Sequence, residues 1–135
     1  MSLYVEKFKR FNDMRVFSFE KLNVWQKAKK LSVSIYKTTT SFPSEEKFGL
    51  ISQMRRCSIS ISSNIAEGSG RHSAKDKARF TEIAYSSALE LLNQSIISND
   101  LGYLSDEIYN DIRMQLTEIA AMLDGLYKSQ INDIK

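Results

Sequence analysis

The sequence predicts an all-α protein, folded as an antiparallel up-down-up-down four-helix bundle. Its 135 residues include one Pro and five Gly, which is too little turn chemistry for a protein made of many strands. Apolar residues recur every three or four positions along four separate segments, and this period is typical of amphipathic helices. A chain of this length suits one domain, and short connections between consecutive helices favour antiparallel neighbours.

Helix one is predicted to begin at about residue 21. Its apolar stripe consists of Leu22, Trp25, Ala28, Leu31 and Ile35. The helix should end before Phe42, because the residue that precedes a proline such as Pro43 disfavours helical geometry.

Helix two follows Pro43, although its stretch RRCSISISSNIAEGSGR alternates Ser and Ile as a strand would. On a helix, its core positions fall within about 60° of each other. These positions are Leu50, Met54, Cys57, Ile61 and Ile65. We expect Gly68 to end this helix with a left-handed cap, and Ser73 with Asp76 to form the capping box of the next helix.

Helix three is predicted over residues 74 to 100, with Gly102 just beyond its end, and helix four over residues 105 to 128. The seam of helix four alternates spacings of three and four residues, as in packed bundles. It consists of Tyr109, Ile112, Leu116, Ile119, Leu123 and Leu126. The predicted organisation is an N-terminal arm (1–18), the bundle (19–130) and a C-terminal tail (131–135).

Metal, cofactor and enzymatic chemistry find no support in the sequence. His72 is the only histidine and Cys57 the only cysteine, so the ligand sets of di-iron and zinc sites cannot be assembled. A Cys-His nucleophile is also excluded, because about four helical turns, roughly 20 Å, separate the two residues. The lone cysteine favours a reducing, cytoplasmic setting, and no run approaches the roughly 20 apolar residues of a membrane span.

Charge is distributed unevenly along the chain. Residues 1–79 contain sixteen Lys and Arg against seven Asp and Glu, whereas residues 80–135 contain three against nine, within a net charge of +3. Such polarity can create a basic surface for an anionic polymer. It can equally serve attraction between the two halves of the chain or between neighbouring subunits.

Four basic residues are the candidate nucleic-acid contacts: Arg55, Arg71, Lys75 and Lys77. The last three surround the predicted start of helix three, where backbone amides favour anions. Because no aromatic residues are interleaved with them, such a surface should read the nucleic-acid backbone or shape more than the base sequence. The alternative is that this cluster is ordinary solvated surface.

The candidate structural corner consists of Asn64, Glu67 and Gly68, at the end of helix two. Glu67 opposes the dipole of its helix, so we expect a compensating partner, which is Arg71, Arg56 or the free amides at the start of helix three. Direct contact with a ligand is the alternative. Arg56 flanks the core, and we expect it to form an internal pair with Glu90.

Helix three carries more apolar surface than one side of a bundle needs, since its apolar positions cover roughly 240° of the helical wheel. The surplus side consists of Tyr85, Leu89, Leu92 and Ile96. We therefore expect helix three to have a second packing surface, most simply for contact with another subunit.

Several motifs resemble those of a known bacterial family: Leu22-x-x-Trp25-Gln26, Phe42-Pro43-x-x-Glu46-x-x-Gly49-Leu50, Gln53-x-Arg55-Arg56, Asn64-Ile65-Ala66-Glu67-Gly68-x-x-Arg71, Ala84-x-x-Ser87-x-x-Glu90 and Leu101-Gly102-Tyr103. The family comprises the four-helix-bundle proteins encoded by intervening sequences inside 23S ribosomal RNA genes. The resemblance covers about residues 19 to 127.

This resemblance implies a ring-like homo-oligomer, because homopentamers shaped as open barrels are the assembly expected of the family. A relative, the accessory protein of diversity-generating retroelements, binds reverse transcriptase and nucleic acid. By resemblance, Ile59 and Ala66 of helix two and the surplus face of helix three are oligomer contacts. Cys57 departs from the family pattern, in which Ala is usual.

The sequence therefore predicts a non-enzymatic, oligomeric four-helix bundle that binds nucleic acid, with structured RNA favoured, through a basic surface. The alternative is a protein-binding adaptor or scaffold with no nucleic-acid role.

Overall fold

The computed structural model describes residues 14–134 and contains, over that range, four α-helices and no strand. The helices are α1 (Asn23–Thr39), α2 (Ser52–Ser69), α3 (Ala74–Asp100) and α4 (Asp106–Asn132). Short 3-10 helices (Ser18–Lys21 and Ser44–Glu46) and a π-helical turn (Lys47–Ile51) precede α1 and α2. Most of the predicted N-terminal arm, residues 1–13, lies outside the described residues.

The helices pack around one core. α1 contacts α2 and α4, α2 packs extensively against α3, and α3 packs against α4. The largest fully buried apolar side chains come from all four helices: Leu31, Ile35, Met54, Ile61, Leu91, Ile112, Ile119 and Leu123. The predicted core stripes of helices one, two and four are confirmed. Five of their residues are only partly buried and pack against the edge of the core: Leu22, Trp25, Leu50, Tyr109 and Leu126.

The predicted ends of the helices agree closely with the structure. Ser73 Oγ accepts a hydrogen bond from the Asp76 amide at 3.1 Å and so caps α3, and Gly102 follows that helix with a φ of +82°. Ser105 caps α4 in the same way, through the Ile108 amide at 3.2 Å. α4 extends to Asn132, beyond the predicted end at residue 128, and so includes the start of the predicted tail.

Gly68 does not form the left-handed cap that we expected. α2 continues through Ser69 with negative φ angles, and Gly68 is buried inside its last turn. A Cβ atom at this position would lie 2.8 Å from the Cβ of Phe80 on α3. Glycine is needed here because α2 and α3 approach each other closely. The backbone conformation does not require glycine, since φ is negative at this position.

Small polar residues lie on the buried face of α3, and their hydroxyl groups form hydrogen bonds to backbone carbonyls of the same helix. Ser95 donates to the Leu91 carbonyl and Ser98 to the Gln94 carbonyl, both at 2.8 Å. Cys57 is buried opposite Gln94, whose Nε2 lies 3.4 Å from the sulfur. Burial raises the pKa of the Cys57 thiol, as expected for a core residue.

None of the helices in residues 14–134 is both long and apolar enough to cross a membrane.

Candidate nucleic-acid interface

Arg71 and Lys75 are exposed at the corner where α3 begins, and they line two different grooves there, both of which also include Asp76. The chain leaves α2 at Ser69 and enters α3 at Ala74, so both side chains lie beside the first turn of a 27-residue helix. The guanidinium group of Arg71 lies 4.5 Å from the centroid of the Phe80 ring, which holds the charge over the α2–α3 junction. The Arg71 amide donates to the Gly68 carbonyl at 3.1 Å.

Lys77 has a structural role at the same corner. Its Nζ donates to the backbone carbonyl of Ser69 at 3.0 Å, and the side chain is partly buried. An ammonium group at the C-terminus of a helix satisfies a free carbonyl and complements the helix dipole. The charge of Lys77 is therefore engaged by α2.

Arg55 lies far from the other three predicted contacts. It is near the start of α2, whereas Arg71 follows the end of the same helix, so about 24 Å of helix separates them. Its Nε donates to Thr39 Oγ1 at 2.9 Å, its Nη2 donates to the Tyr36 carbonyl at 3.2 Å, and its guanidinium lies 4.8 Å from the Tyr36 ring centroid. Arg55 thus joins α2 to the end of α1, and the four residues do not form one cluster.

The predicted side-chain ties at the corner differ from the observed bonds. Asn64 Nδ2 donates to the Ser60 carbonyl at 2.8 Å and to Ser60 Oγ at 3.1 Å, and Ser60 shares a 2.9 Å hydrogen bond with Ser87 of α3. Asn64 therefore connects α2 to α3 through Ser60, within the bundle and not through the loop. Glu67 is exposed, and its carboxylate makes no hydrogen bond or ion pair with any residue in 14–134.

The expected ion pair between Arg56 and Glu90 is also absent within the described part of the chain. The ion pairs found there are Lys27–Glu118, which joins α1 to α4, and Lys128–Asp124 within α4, each at 2.8 Å.

Sequence reasoning missed an open groove between the end of α1 and the start of α2. Phe48, on the π-helical turn, is 87% exposed. Residues that line the groove include Tyr36, Lys47, Phe48, Arg55, Arg56 and Ile59, and no acidic residue lines it. The one available signal was an aromatic residue between Lys47 and Gly49, at a point where the predicted helical stripe had not yet begun.

Comparison with known proteins identifies the family. The model of the 23S rRNA-intervening sequence protein family matches residues 20–125, which extend from the turn before α1 into α4. The chain belongs to this family. The resemblance that the sequence motifs predicted is thereby confirmed.

A solved structure shares the fold of this 23S rRNA-intervening sequence protein. It is a protein of unknown function from the S23 ribosomal protein family of Bacteroides thetaiotaomicron VPI-5482. The two chains are 27% identical, with a TM-score of 0.71, over 78% of this chain and 98% of the other. Among curated proteins, no relative matches.

The predicted oligomer contacts of this family member divide into two groups. Tyr85 and Leu92 are partly buried and pack against the core of their own chain. Leu89, Ile96 and Ile59 are instead exposed, with 50%, 37% and 42% of their surface accessible. The apolar surface available to a partner therefore comes from the exposed group.

Proposed function

We propose that this protein is a non-enzymatic, oligomeric bundle that binds nucleic acid, with structured RNA favoured. The observation that carries the proposal is the exposed pair Arg71 and Lys75 beside the N-terminus of α3. Free amides at a helix start and nearby cations together form a suitable site for a phosphate. Among the first amides of α3, the Asp76 amide is taken by Ser73, and Asp76 is the acid closest in sequence to Lys75.

This site would read phosphates more than bases. The Phe80 ring beside Arg71 is covered on one face by the guanidinium group. A corner without an open aromatic face contacts the nucleic-acid backbone through charge, and such contacts carry little sequence information. Binding at this corner should therefore depend on the shape of the RNA.

We also propose the antiparallel arrangement of neighbouring helices. It is supported by three contacts between α2 and α3, in which the residue number rises on one helix as it falls on the other. They are Met54 with Ser98, Cys57 with Gln94, and Ser60 with Ser87.

A ring-like homo-oligomer, the pentamer implied by the family resemblance, is the last part of the proposal. Exposed apolar residues lie on two different parts of the bundle, Ile59 on α2 and Leu89 with Ile96 on α3. Two different surfaces that pack against each other form a heterologous interface, and such an interface closes into a ring when the rotation allows it.

The test replaces Arg71 and Lys75 together by Ala and measures affinity for a duplex RNA across a salt series. Lys77 is left intact because it caps α2. Each lost phosphate contact should flatten the slope of log affinity against log salt by about one unit, so the double variant should lose about two. The matched control removes two exposed lysines of α1, Lys30 and Lys37, and should keep most of the slope.

An equal loss of slope in both double variants would show that net charge alone causes the binding. If the wild type binds neither RNA nor DNA at low salt, the adaptor function takes the place of the nucleic-acid function. The exposed Leu89 and Ile96 favour that second candidate, because apolar side chains on a helix surface are typical of protein contacts.

A further inference from the structure

The groove beside Phe48 presents an aromatic ring to solvent from an ordered segment. Phe48 lies on the Lys47–Ile51 turn, where Gly49 leaves helical geometry at φ −107° and ψ −114°. The Glu46 carboxylate holds this turn, since it accepts the Leu50 amide at 3.3 Å and the Tyr103 hydroxyl at 3.4 Å. The ring is therefore held outward by the backbone, and it contributes little to the core.

Phe48 belongs to a continuous patch of exposed side chains. Tyr36 of α1 lines the same groove and is exposed. Ile59 of α2 also lines it, but the ring-like oligomer proposed above would cover this side chain, so the ligand surface consists of Phe48 and Tyr36. The groove is open to solvent and has a volume of about 510 Å³, within the range of roughly 300–1,000 Å³ that is usual for ligand sites. An isolated apolar residue at a surface needs no explanation, but two exposed aromatic side chains at one groove indicate a binding surface.

The charged residues that line the groove are all basic, and the Glu46 carboxylate on the adjacent turn is bonded to Leu50 and Tyr103. Lys47, Arg55 and Arg56 line it, and none of its lining residues is acidic. Lys47 Nζ lies 5.5 Å from the centroid of the Phe48 ring. Arg55 is fixed by its bonds to Thr39 and Tyr36, so part of this charge is ordered before any ligand arrives.

We propose that this groove binds an unpaired stretch of RNA, with one base stacked on Phe48 and the adjacent phosphates beside Lys47 and Arg56. Surfaces that bind single strands combine a basic groove with aromatic rings on which bases stack. Charge complementarity favours a polyanion, and the open ring favours a polyanion that also carries flat aromatic groups. An acidic peptide would match the charges but would offer the ring no stacking partner.

This inference rests on the proposed RNA-binding function and adds to it a ligand class and a second site. The corner at Arg71 and the groove at Phe48 lie near opposite ends of α2, which is about 27 Å long. An RNA in which a duplex adjoins an unpaired segment could contact both. The duplex would lie at the corner and the single strand in the groove.

The experiment compares Phe48→Ser, Phe48→Leu and Phe48→Trp in the full chain. The probes are an oligoadenylate of about twelve nucleotides, long enough for the usual single-strand sites, and a duplex RNA of the same length. Met114→Ser is the matched control, since among the large apolar side chains of residues 14–134 Met114 is the next most exposed after Phe48, at 73%, and it lies on α4. All these side chains are exposed, so the variants should fold as the wild type does.

Phe48→Ser should weaken binding of the single strand by about tenfold, as expected for the loss of one stacked base, with little change for the duplex. Phe48→Leu should weaken it similarly, whereas Phe48→Trp and Met114→Ser should bind as the wild type does. A 2-aminopurine placed in the strand should lose fluorescence on binding to the wild type and not to Phe48→Ser.

Three results would overturn the inference. Full binding by Phe48→Leu would mean an apolar contact without stacking, as a peptide would make. A smaller particle mass for Phe48→Ser would assign the groove to a second copy of the chain. If the wild type bound the duplex but not the single strand, only the proposed role of the groove would be refuted. If it bound neither RNA, the proposed function would be refuted as well.

Discussion

Gly68 sets the distance between α2 and α3. Because an added Cβ would lie 2.8 Å from the Phe80 Cβ, Gly68→Ala must push the two helices apart or distort their junction. Overpacking of this kind lowers the free energy of unfolding by about 1–3 kcal/mol. Urea denaturation followed by circular dichroism would measure the loss.

The control for this prediction is Gly125→Ala, in the middle of α4. Apart from the neighbouring backbone of its own helix, no heavy atom of residues 14–134 lies within 4 Å of a Cβ added there, and alanine is favoured over glycine in a helix by about 1 kcal/mol. This variant should be as stable as the wild type or more so. If both alanine variants were stabilised alike, the close approach at Gly68 would not limit the packing.

At the scale of the helices, Arg55 braces the end of α1 against the start of α2. Arg55→Met keeps an unbranched side chain but removes the hydrogen bonds to Thr39 and to the Tyr36 carbonyl. Because the site is partly exposed, we expect a loss of about 1 kcal/mol in the free energy of unfolding. Arg56→Met, one position further on the exposed side of α2, should change stability less, and equal losses in thermal unfolding would contradict the brace.

The four helices could be predicted from sequence because their signals are local. Ser73 and Ser105 cap the helices that follow them, and Gly102 lies just beyond the end of α3, as its position in the sequence predicted. The cap expected at Gly68 was wrong because a glycine near the end of a helix has two explanations. Only the position of Phe80, twelve residues later and on another helix, distinguishes them.

The roles of the basic residues could be predicted only in part. Arg71 and Lys75 lie where the sequence placed them, exposed at the start of α3. Lys77 and Arg55 are engaged instead by a backbone carbonyl and a threonine on other elements, at Ser69 and Thr39. Such partners come together through tertiary packing, which periodicity along the chain does not report.

For the whole molecule, the decisive measurement is its mass in solution. Leu89→Lys and Ile96→Lys place a charge on the exposed apolar face of α3 and spare the core of the chain. A charge buried in an interface without a partner is strongly unfavourable, so each variant should stay helical and form a smaller particle in light scattering.

Met114→Lys is the control, because Met114 is more exposed than either residue but lies on α4. The Met114→Lys variant should form a particle of the same mass as the wild type. An unchanged mass in the Leu89 and Ile96 variants would exclude this face of α3 from the oligomer contact.

The separation of charge between helices makes the bundle an electric dipole. α1 and α2 together contain six basic residues and one acidic residue, whereas α3 and α4 contain five basic and nine acidic. The ion pair Lys27–Glu118 lies where the two sides meet, at the contact of α1 with α4. A polyanion that approaches would turn the α1–α2 side toward itself before contact, so the rate of encounter should exceed what a net charge of +3 suggests.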